Sequence, residues 1–464
     1  MTPAFGERLA VQSVRKASKH YFVLGVVLAA LSGAMLAFAL PPREVSFLGW
    51  LAFLPLLVAA RISKPLVAAV YGLLCSLVCA LIMSGHLTDS HQFGNLFGAF
   101  GTLGLVLAFG AGFASLTKRM NPAVQPLFVA CAGVTAELVS VWIFPVNAAI
   151  SQYRNPAMLE LASYTAIWGV SFLVWFVPAA MIAMFQRPKA AWPAFALAAI
   201  AVGAGSIAGF PIENKGRVLR VAAIQSPYPD DALKLTHSVG RNVVLVVWPE
   251  HRLDPGDGEP SEAARTNRVY VVADFIVPRP KAKPYNTAYL ISPSGQVIGK
   301  QTKRFLFGNE NSICSRGTGS HPVNRGGFVA GMAICYDTQF TGVIRDLVRR
   351  GADIICVPVN DPEMPNSLLN HLHCAVVPFR AAENGVPIVW AERNGLSAVI
   401  GRSGRILARA AAGSRTAVVA PVWLRQSTTF ATRWGDWFGY LCAVGFAAGV
   451  VCVWRGKRSG SRSA

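Results

Sequence analysis

Glu250, Lys303 and Cys335 are three chemically different side chains, each at the end of a predicted strand. Cys335 ends "GFVAGMAIC", Glu250 ends "NVVLVVWPE", and Lys303 follows "QVIGKQT". A thiol attacks a carbonyl as its thiolate, so it needs a base or a depressed pKa. A carboxylate can take that proton. An ammonium can stabilise the oxyanion that forms at the attacked carbon, alongside backbone N–H groups. One carboxylate, one ammonium and one thiol are therefore a sufficient kit for acyl transfer. Each also has a plainer reading alone: a small core cysteine, a polar strand end and a solvated lysine.

The elements that would position these groups can be read from the same region. From Arg217 onward the apolar runs are short. "VLRVAAIQ", "NVVLVVWPE", "VYVVADFIV", "TAYLISPSGQVIG", "GFVAGMAICYD", "ADIICVPVND", "VPIVWAE" and "LSAVIGRSGRIL" have the length and Val/Ile/Ala content of strands. "SPSGQ" and "GRSGR" supply turn residues between strand pairs. "TGVIRDLVRRG" and "SLLNHLHCAVVPFRAAENG" have helical spacing and stop at Gly351 and Gly385. Strands alternating with helices predict an α/β domain with both sheet faces covered.

The rest of the chain is of another kind. Of its 464 residues, 53% are hydrophobic and 14% charged, a balance suited to a membrane protein. Eight apolar stretches approach the roughly 20 residues a bilayer crossing needs. They lie near 22–41, 46–61, 65–84, 93–116, 122–143, 161–184, 191–211 and 437–454. The first is not read as a cleavable signal peptide, because further apolar segments follow it without an export-type cleavage site. Arg8, Arg15, Lys16, Lys19, Arg61, Lys64, Lys118, Arg119, Arg187, Lys189 and the tail Arg455, Lys457, Arg458, Arg462 alternate with short loops that hold only Arg43 and Arg154. By the positive-inside rule both termini are cytoplasmic, with 212–436 on the outer side, the periplasm of a bacterium. The expected organisation is a seven-helix membrane domain at 1–211, an outer catalytic domain at 212–436, and a final helix with a basic tail at 437–464.

The net charge is +20, and residues 212–435 hold 27 Lys/Arg against 17 Asp/Glu. A basic domain beside a membrane is attracted to anionic headgroups. Nucleic-acid binding is not expected, since no basic helix or aromatic-studded strand motif is present. The nine cysteines form no CxxC pair or disulfide framework. His371, His373 and Cys374 sit too unfavourably on one helix to make a metal site. Asn360 and Asp361 read as a turn after a strand, and Arg380 with Glu383 as a structural ion pair. Glu137, inside an apolar stretch, is costly in lipid and is expected to face neighbouring helices or water. No cofactor or metal is expected, and a single chain is expected to be the working unit.

Five ordered motifs carry a family resemblance: "VVWPE", "YNTAYLISPSGQVIGKQTKRFLFG", "GMAICYD", "GADIICVPVND" and "FRAAENGVPIVWAERNGLSAVIGRSGRI". Together they resemble the nitrilase (carbon–nitrogen hydrolase) superfamily over about 218–422. That resemblance implies an α-β-β-α sandwich and a Glu-Lys-Cys triad. The membrane half, through "SGAMLAFALPP…FLGWLAFLPLL" and "AELVSVWIFPVNAAISQYRNPAMLELASYTAIWGVSFLV", resembles the bacterial apolipoprotein N-acyltransferases.

The resemblance implies Glu250 as general base, Lys303 as oxyanion-stabilising cation and Cys335 as nucleophile. It puts Tyr336, Asp337 and Glu310 near the substrate. The implied reaction moves an acyl chain from a phospholipid donor to Cys335, then to the amine of a diacylglyceryl lipoprotein acceptor. The chain departs from the family pattern in several places. "QTKRFLFGNE" has Gln301 for a tyrosine and is one residue shorter, so Lys300 and Lys303 compete for the lysine role, with Lys303 favoured by its distance to Leu306. The segment between Gln225 and Glu250 is short and lacks the family's tryptophan, Asp337 replaces a glutamate, and "PEMPNS" replaces an aromatic-glycine stretch. Two alternatives follow: an amidase acting on a small amide, or a catalytically altered accessory membrane protein, for example in conjugal plasmid transfer.

Overall fold

The computed structural model describes residues 5–84, 91–207, 209, 213, 216–325, 327–361 and 368–461. The altered "PEMPNS" stretch, 362–367, and the expected boundary at 211/212 lie outside the described residues. The chain divides into two compact units, Met1–Ser151 with Val170–Ala204 and Phe438–Ala464, and Gln152–Gly169 with Gly205–Trp437.

The first unit is helical. Among the described residues, five helices are long and apolar enough to cross a bilayer: Lys19–Ala39, Pro65–Ser84, Phe97–Leu116, Ile167–Gln186 and Trp437–Gly456. Two expected crossings fall on shorter apolar helices. The 46–61 stretch is two short helices, Ser46–Leu51 and Leu54–Ile62, the second opening with Pro55 in its first turn. The 122–143 stretch holds a 16-residue helix, Gln125–Ser140. The 191–211 stretch falls on a helix at Pro188–Ile207. The 161–184 stretch is interrupted: helix Pro156–Thr165, which belongs to the second unit, ends at Ala166, whose φ of +53° breaks the helix before Ile167–Gln186 begins.

Close packing in this unit uses small residues. A Cβ on Gly133 would meet the indole of Trp175 at 2.5 Å, so only glycine admits that ring. Glu137 is buried and accepts from Trp175 Nε1 at 2.9 Å and Ala148 N at 3.2 Å. Its carboxylate thus holds two polar groups that lipid would leave unsatisfied.

The second unit is a two-sheet sandwich with helices on its outer faces. Its strands are β1 Val218–Gln225, β2 Leu245–Val247, β3 Tyr270–Arg279, β4 Ala282–Ile291, β5 Val297–Thr302, β6 Val323–Arg325, β7 Phe328–Met332, β8 Ile354–Val359, β9 Ile388–Glu392, β10 Ala398–Ile400, β11 Ile406–Arg409 and β12 Thr416–Trp423. One sheet has the order β12-β1-β2-β3-β4-β5, the other β11-β10-β9-β8-β7-β6. The period of two sends alternate residues of a strand to opposite faces. In β1, Val221 and Ala223 join the core between the sheets, while Ala222 and Ile224 face a second core. That second core includes Ala232, Ala263 and Ala264, from helices Pro229–Ser238 and Glu259–Asn267. On the other side, helices Thr341–Arg349 and Leu368–Asn384 bring Ile344, Leu347, Val377 and Ala381 to the inner core cluster. This is the expected α-β-β-α arrangement.

The helix starts and stops follow local chemistry. Gly351 and Gly385, just past their helices, have φ of +105° and +59°, the left-handed region that suits glycine at a helix end. β6, β12 and the helices Pro229–Ser238 and Glu259–Asn267 are absent from the sequence reading.

Candidate active site

Glu250 lies three residues beyond β2, and its backbone N–H donates to Val359 O at the end of β8. Lys303 follows β5 directly, its N–H held by Asn286 O from β4. Cys335 does not close a strand as expected. β7 ends at Met332, and Cys335 opens a short 3-10 turn over Cys335–Gln339. Its φ is +48°, a strained setting for a residue with a Cβ, of the kind that collects at functional sites.

The three charged side chains behind the sulfur form one buried cluster. Lys303 Nζ lies 3.1 Å from Glu250 Oε1 and 2.9 Å from Glu310 Oε2. The side chains of Lys303, Glu250 and Glu310 are 1%, 0% and 4% exposed. Asn286 Nδ2 donates to Glu250 Oε1 at 2.6 Å. Arg252 adds a second cation: its Nε is 3.5 Å from Glu250 Oε1, and its Nη2 donates to Glu310 Oε1. Glu310 Oε2 also accepts from Phe307 N at 2.8 Å. Lys300 is exposed on β5, so Lys303 is the lysine that meets the carboxylates.

The electrostatics follow from these contacts. Burial would push the Glu250 carboxyl up, but Lys303, Arg252 and the Asn286 hydrogen bond together hold it below the ordinary carboxylate range. Burial would lower the Lys303 ammonium, yet Glu250, Cys335 and Glu310 push it above its ordinary value. Burial pushes the Cys335 thiol well up, Lys303 draws it down, and Glu250 and Asp361 add to the rise. At rest the site therefore holds a thiol beside an ionised carboxylate and a charged ammonium. Such a thiol becomes nucleophilic only as its proton is removed.

Asp337 ties two parts of the site together. Its Oδ1 accepts from Arg304 N at 3.0 Å and Phe305 N at 2.8 Å, and its Oδ2 from Ile334 N at 3.1 Å. The loop after Lys303 is thereby pinned to the turn that carries Cys335. Burial raises the Asp337 carboxyl to about 6, with the three N–H donors and Lys303 opposing the rise. Tyr336 packs between Phe307 and Phe340, with ring centroids 4.9 and 5.3 Å away.

Several neighbours escaped the sequence reading. Asn286 is a buried polar residue inside the strand "YNTAYLI", a visible signal on its own. Arg252, two residues after Glu250, has φ of +57°, which nothing in its surroundings in sequence announces. Asp361, expected as a turn residue, faces Cys335: its Oδ1 is 3.9 Å from the Cys335 Sγ. His373 Nδ1 meets both Asp361 oxygens, at 2.8 and 2.9 Å. The donor atoms of Cys335, Asp361 and His373 lie within 4.8 Å of one another. Cys374 is not among them; its thiol is buried against Leu396 O. Arg380 and Glu383 form a buried ion pair at 2.8 Å, as expected.

Fold and cluster define a carbon–nitrogen hydrolase-type sandwich, joined in one chain to a bundle of apolar helices. The chain matches the carbon-nitrogen hydrolase family over residues 259–431 and the apolipoprotein N-acyltransferase N-terminal domain over 32–180. It is 24% identical to an apolipoprotein N-acyltransferase from Geobacter metallireducens over 93% of this chain and 95% of that protein. It is 26% identical to the one from Vibrio cholerae, over 46% and 49% of the two chains. An amidase from Nesterenkonia sp. of known structure has 20% identity and a TM-score of 0.39, over 46% of this chain and 92% of that one. The chain is an apolipoprotein N-acyltransferase-like member of the nitrilase superfamily. A match that includes the apolipoprotein N-acyltransferase N-terminal domain disfavours the small-amide amidase and the accessory-protein alternatives.

Proposed function

We propose that this chain is a membrane-bound N-acyltransferase that moves a fatty acyl chain from a phospholipid, through a thioester on Cys335, to the amino terminus of an apolipoprotein. The observation that carries this reading is the buried ammonium of Lys303, held between Glu250 and Glu310 in the electrostatic reach of the Cys335 thiol. In the first step Glu250 takes the thiol proton as Sγ attacks the ester carbonyl. Lys303 stabilises the oxyanion. The tetrahedral adduct collapses, Glu250 returns the proton to the departing glyceryl oxygen, and the acyl chain stays on sulfur. In the second step the acceptor amine attacks the thioester, Glu250 takes its proton and passes it to the leaving sulfur. Glu310 keeps Lys303 aimed and charged. Asp337 and Tyr336 shape the turn beside the nucleophile.

The catalytic domain lies on the periplasmic side of the inner membrane, a placement supported by the distribution of loop lysines and arginines. Incubation with radiolabelled phospholipid should leave label on the protein that neutral hydroxylamine releases. Equal labelling of wild type and Cys335→Ala would end this reading.

A further inference from the structure

The catalytic cluster described above accounts for one proton per half-reaction. An α-amine brings two to be lost. Its pKa is about 8, so at neutral pH it arrives mostly as an ammonium. Glu250 can shuttle one proton from nitrogen to sulfur, but the other must leave the site.

A second carboxylate faces the same sulfur. Asp361 Oδ1 is 3.9 Å from Cys335 Sγ, and both Asp361 oxygens are gripped by His373 Nδ1. The ring of His373 is fixed further by Trp390, edge to face at 4.8 Å, and by Thr338 Oγ1, 3.2 Å from its Nε2. Thr338 in turn donates to the carbonyl of Cys335 at 2.9 Å. The pair is thus built into the nucleophile turn. The side chains are 10% exposed for His373 and 9% for Asp361, so the pair keeps contact with solvent, whereas Glu250 has none.

We propose that Asp361, held by His373, receives the acceptor's ammonium beside the Cys335 thioester and takes up its surplus proton. This rests on the acyl-transfer reading above. One N–H bond of the ammonium breaks, and its proton passes to the Asp361–His373 pair and on to water. The freed lone pair attacks the thioester carbon. As the adduct collapses, the second N–H proton goes to Glu250, the C–S bond breaks, and Glu250 protonates Sγ. The products are an amide, a thiol and one proton in solvent. Asp361 touches the substrate in this scheme; His373 is a positioning residue.

The test separates the half-reactions. Full-length protein is loaded with phosphatidylethanolamine in micelles, and acyl-enzyme is measured by intact mass. It is then chased either with a synthetic peptide carrying an N-terminal S-diacylglyceryl cysteine or with hydroxylamine, which is uncharged from pH 7 to 9. The groups facing Asp361 are His373 and Cys374 from helix Leu368–Asn384, Cys335 from the 3-10 turn and Glu392 from β9. The hydroxylamine arm cancels their titration.

Asp361 also raises the Cys335 thiol, so Asp361→Asn should still load, at its own rate, and the acyl that hydroxylamine releases from it is the reference for its peptide transfer at each pH. Its transfer to the peptide should fall about tenfold at pH 7, where about one tenth of an α-amine is neutral in water, and recover to within twofold at pH 9. His373→Gln, which keeps a donor to Asp361, should show the same pH-dependent loss in smaller degree. Unchanged peptide transfer at pH 7, an equal loss with hydroxylamine, a loss that persists at pH 9, or lost loading would each overturn the proposal. Absence of acyl mass on wild type would instead remove the acyl-transfer reading on which it stands.

Discussion

Replacing Lys303 with methionine tests whether the buried cluster is held together as described. The substitution keeps the length of the side chain and removes its charge. Glu250 and Glu310, 0% and 4% exposed, then face each other without the ammonium at 3.1 and 2.9 Å. Breaking a buried ion pair from one side costs about 3–5 kcal/mol. Arg252 still touches both carboxylates and is one-third exposed, so the low end, about 3 kcal/mol, is expected. For a unit of this size that lowers the unfolding midpoint by roughly 6–12 °C.

The pH dependence has a definite sign. In wild type the folded pKa of Glu250 is depressed, so its stabilising contribution is present above the unfolded pKa and lost as pH falls through the folded value. Without Lys303, burial dominates and the folded pKa moves above the unfolded one. The contribution of Glu250 is then present in acid and lost as pH rises through the new folded pKa. The gap between variant and wild type should therefore narrow from pH 8 to pH 5, by up to about 1.4 kcal/mol per pH unit. Unfolding of detergent-solubilised protein, followed at both pH values, reads this directly. Acyl transfer should fall by about a hundredfold or more at either pH, through loss of the oxyanion cation. A midpoint unchanged at pH 8, or a gap that widens in acid, would refute the cluster's electrostatics.

Two further outcomes follow from the same geometry. Lys300→Ala, on the exposed face of β5, should leave phospholipid-dependent acyl loading within twofold of wild type, measured as hydroxylamine-labile label. Asp337→Asn should change the pH dependence of stability. The wild-type carboxyl is raised to about 6 from an ordinary value near 3.9, so its contribution is present in acid and lost as pH rises through about 6, a change of about 3 kcal/mol. Relative to wild type, the unfolding midpoint of Asp337→Asn should therefore rise between pH 4 and pH 7 and then level off.

Glu250 and Cys335 stand out in the sequence because each ends an apolar run, whereas Lys303 follows the polar "KQT" and is singled out only by the family resemblance. The strands with Val/Ile alternation were legible from the same apolar runs. β6, three residues long, and the polar helix Glu259–Asn267 gave no comparable contrast. "GMAIC" is apolar throughout and reads as strand up to Cys335; the φ of +48° belongs to the turn and its tie to Asp337, which composition does not announce. Asp361 and His373, twelve residues apart, meet because β8 ends and the helix Leu368–Asn384 begins near Cys335. In the membrane half, hydropathy found apolar stretches but not their breaks at Phe53 and Ala166, which depend on a proline-led helix start and one left-handed residue.

The central claim is best tested by intact-protein mass spectrometry after exposure to native phospholipid, with peptide mapping of any adduct. The account predicts one added acyl mass, on Cys335, removed when a diacylglyceryl-cysteine peptide is supplied. No added mass, or an acyl group mapped to any other residue, would contradict it.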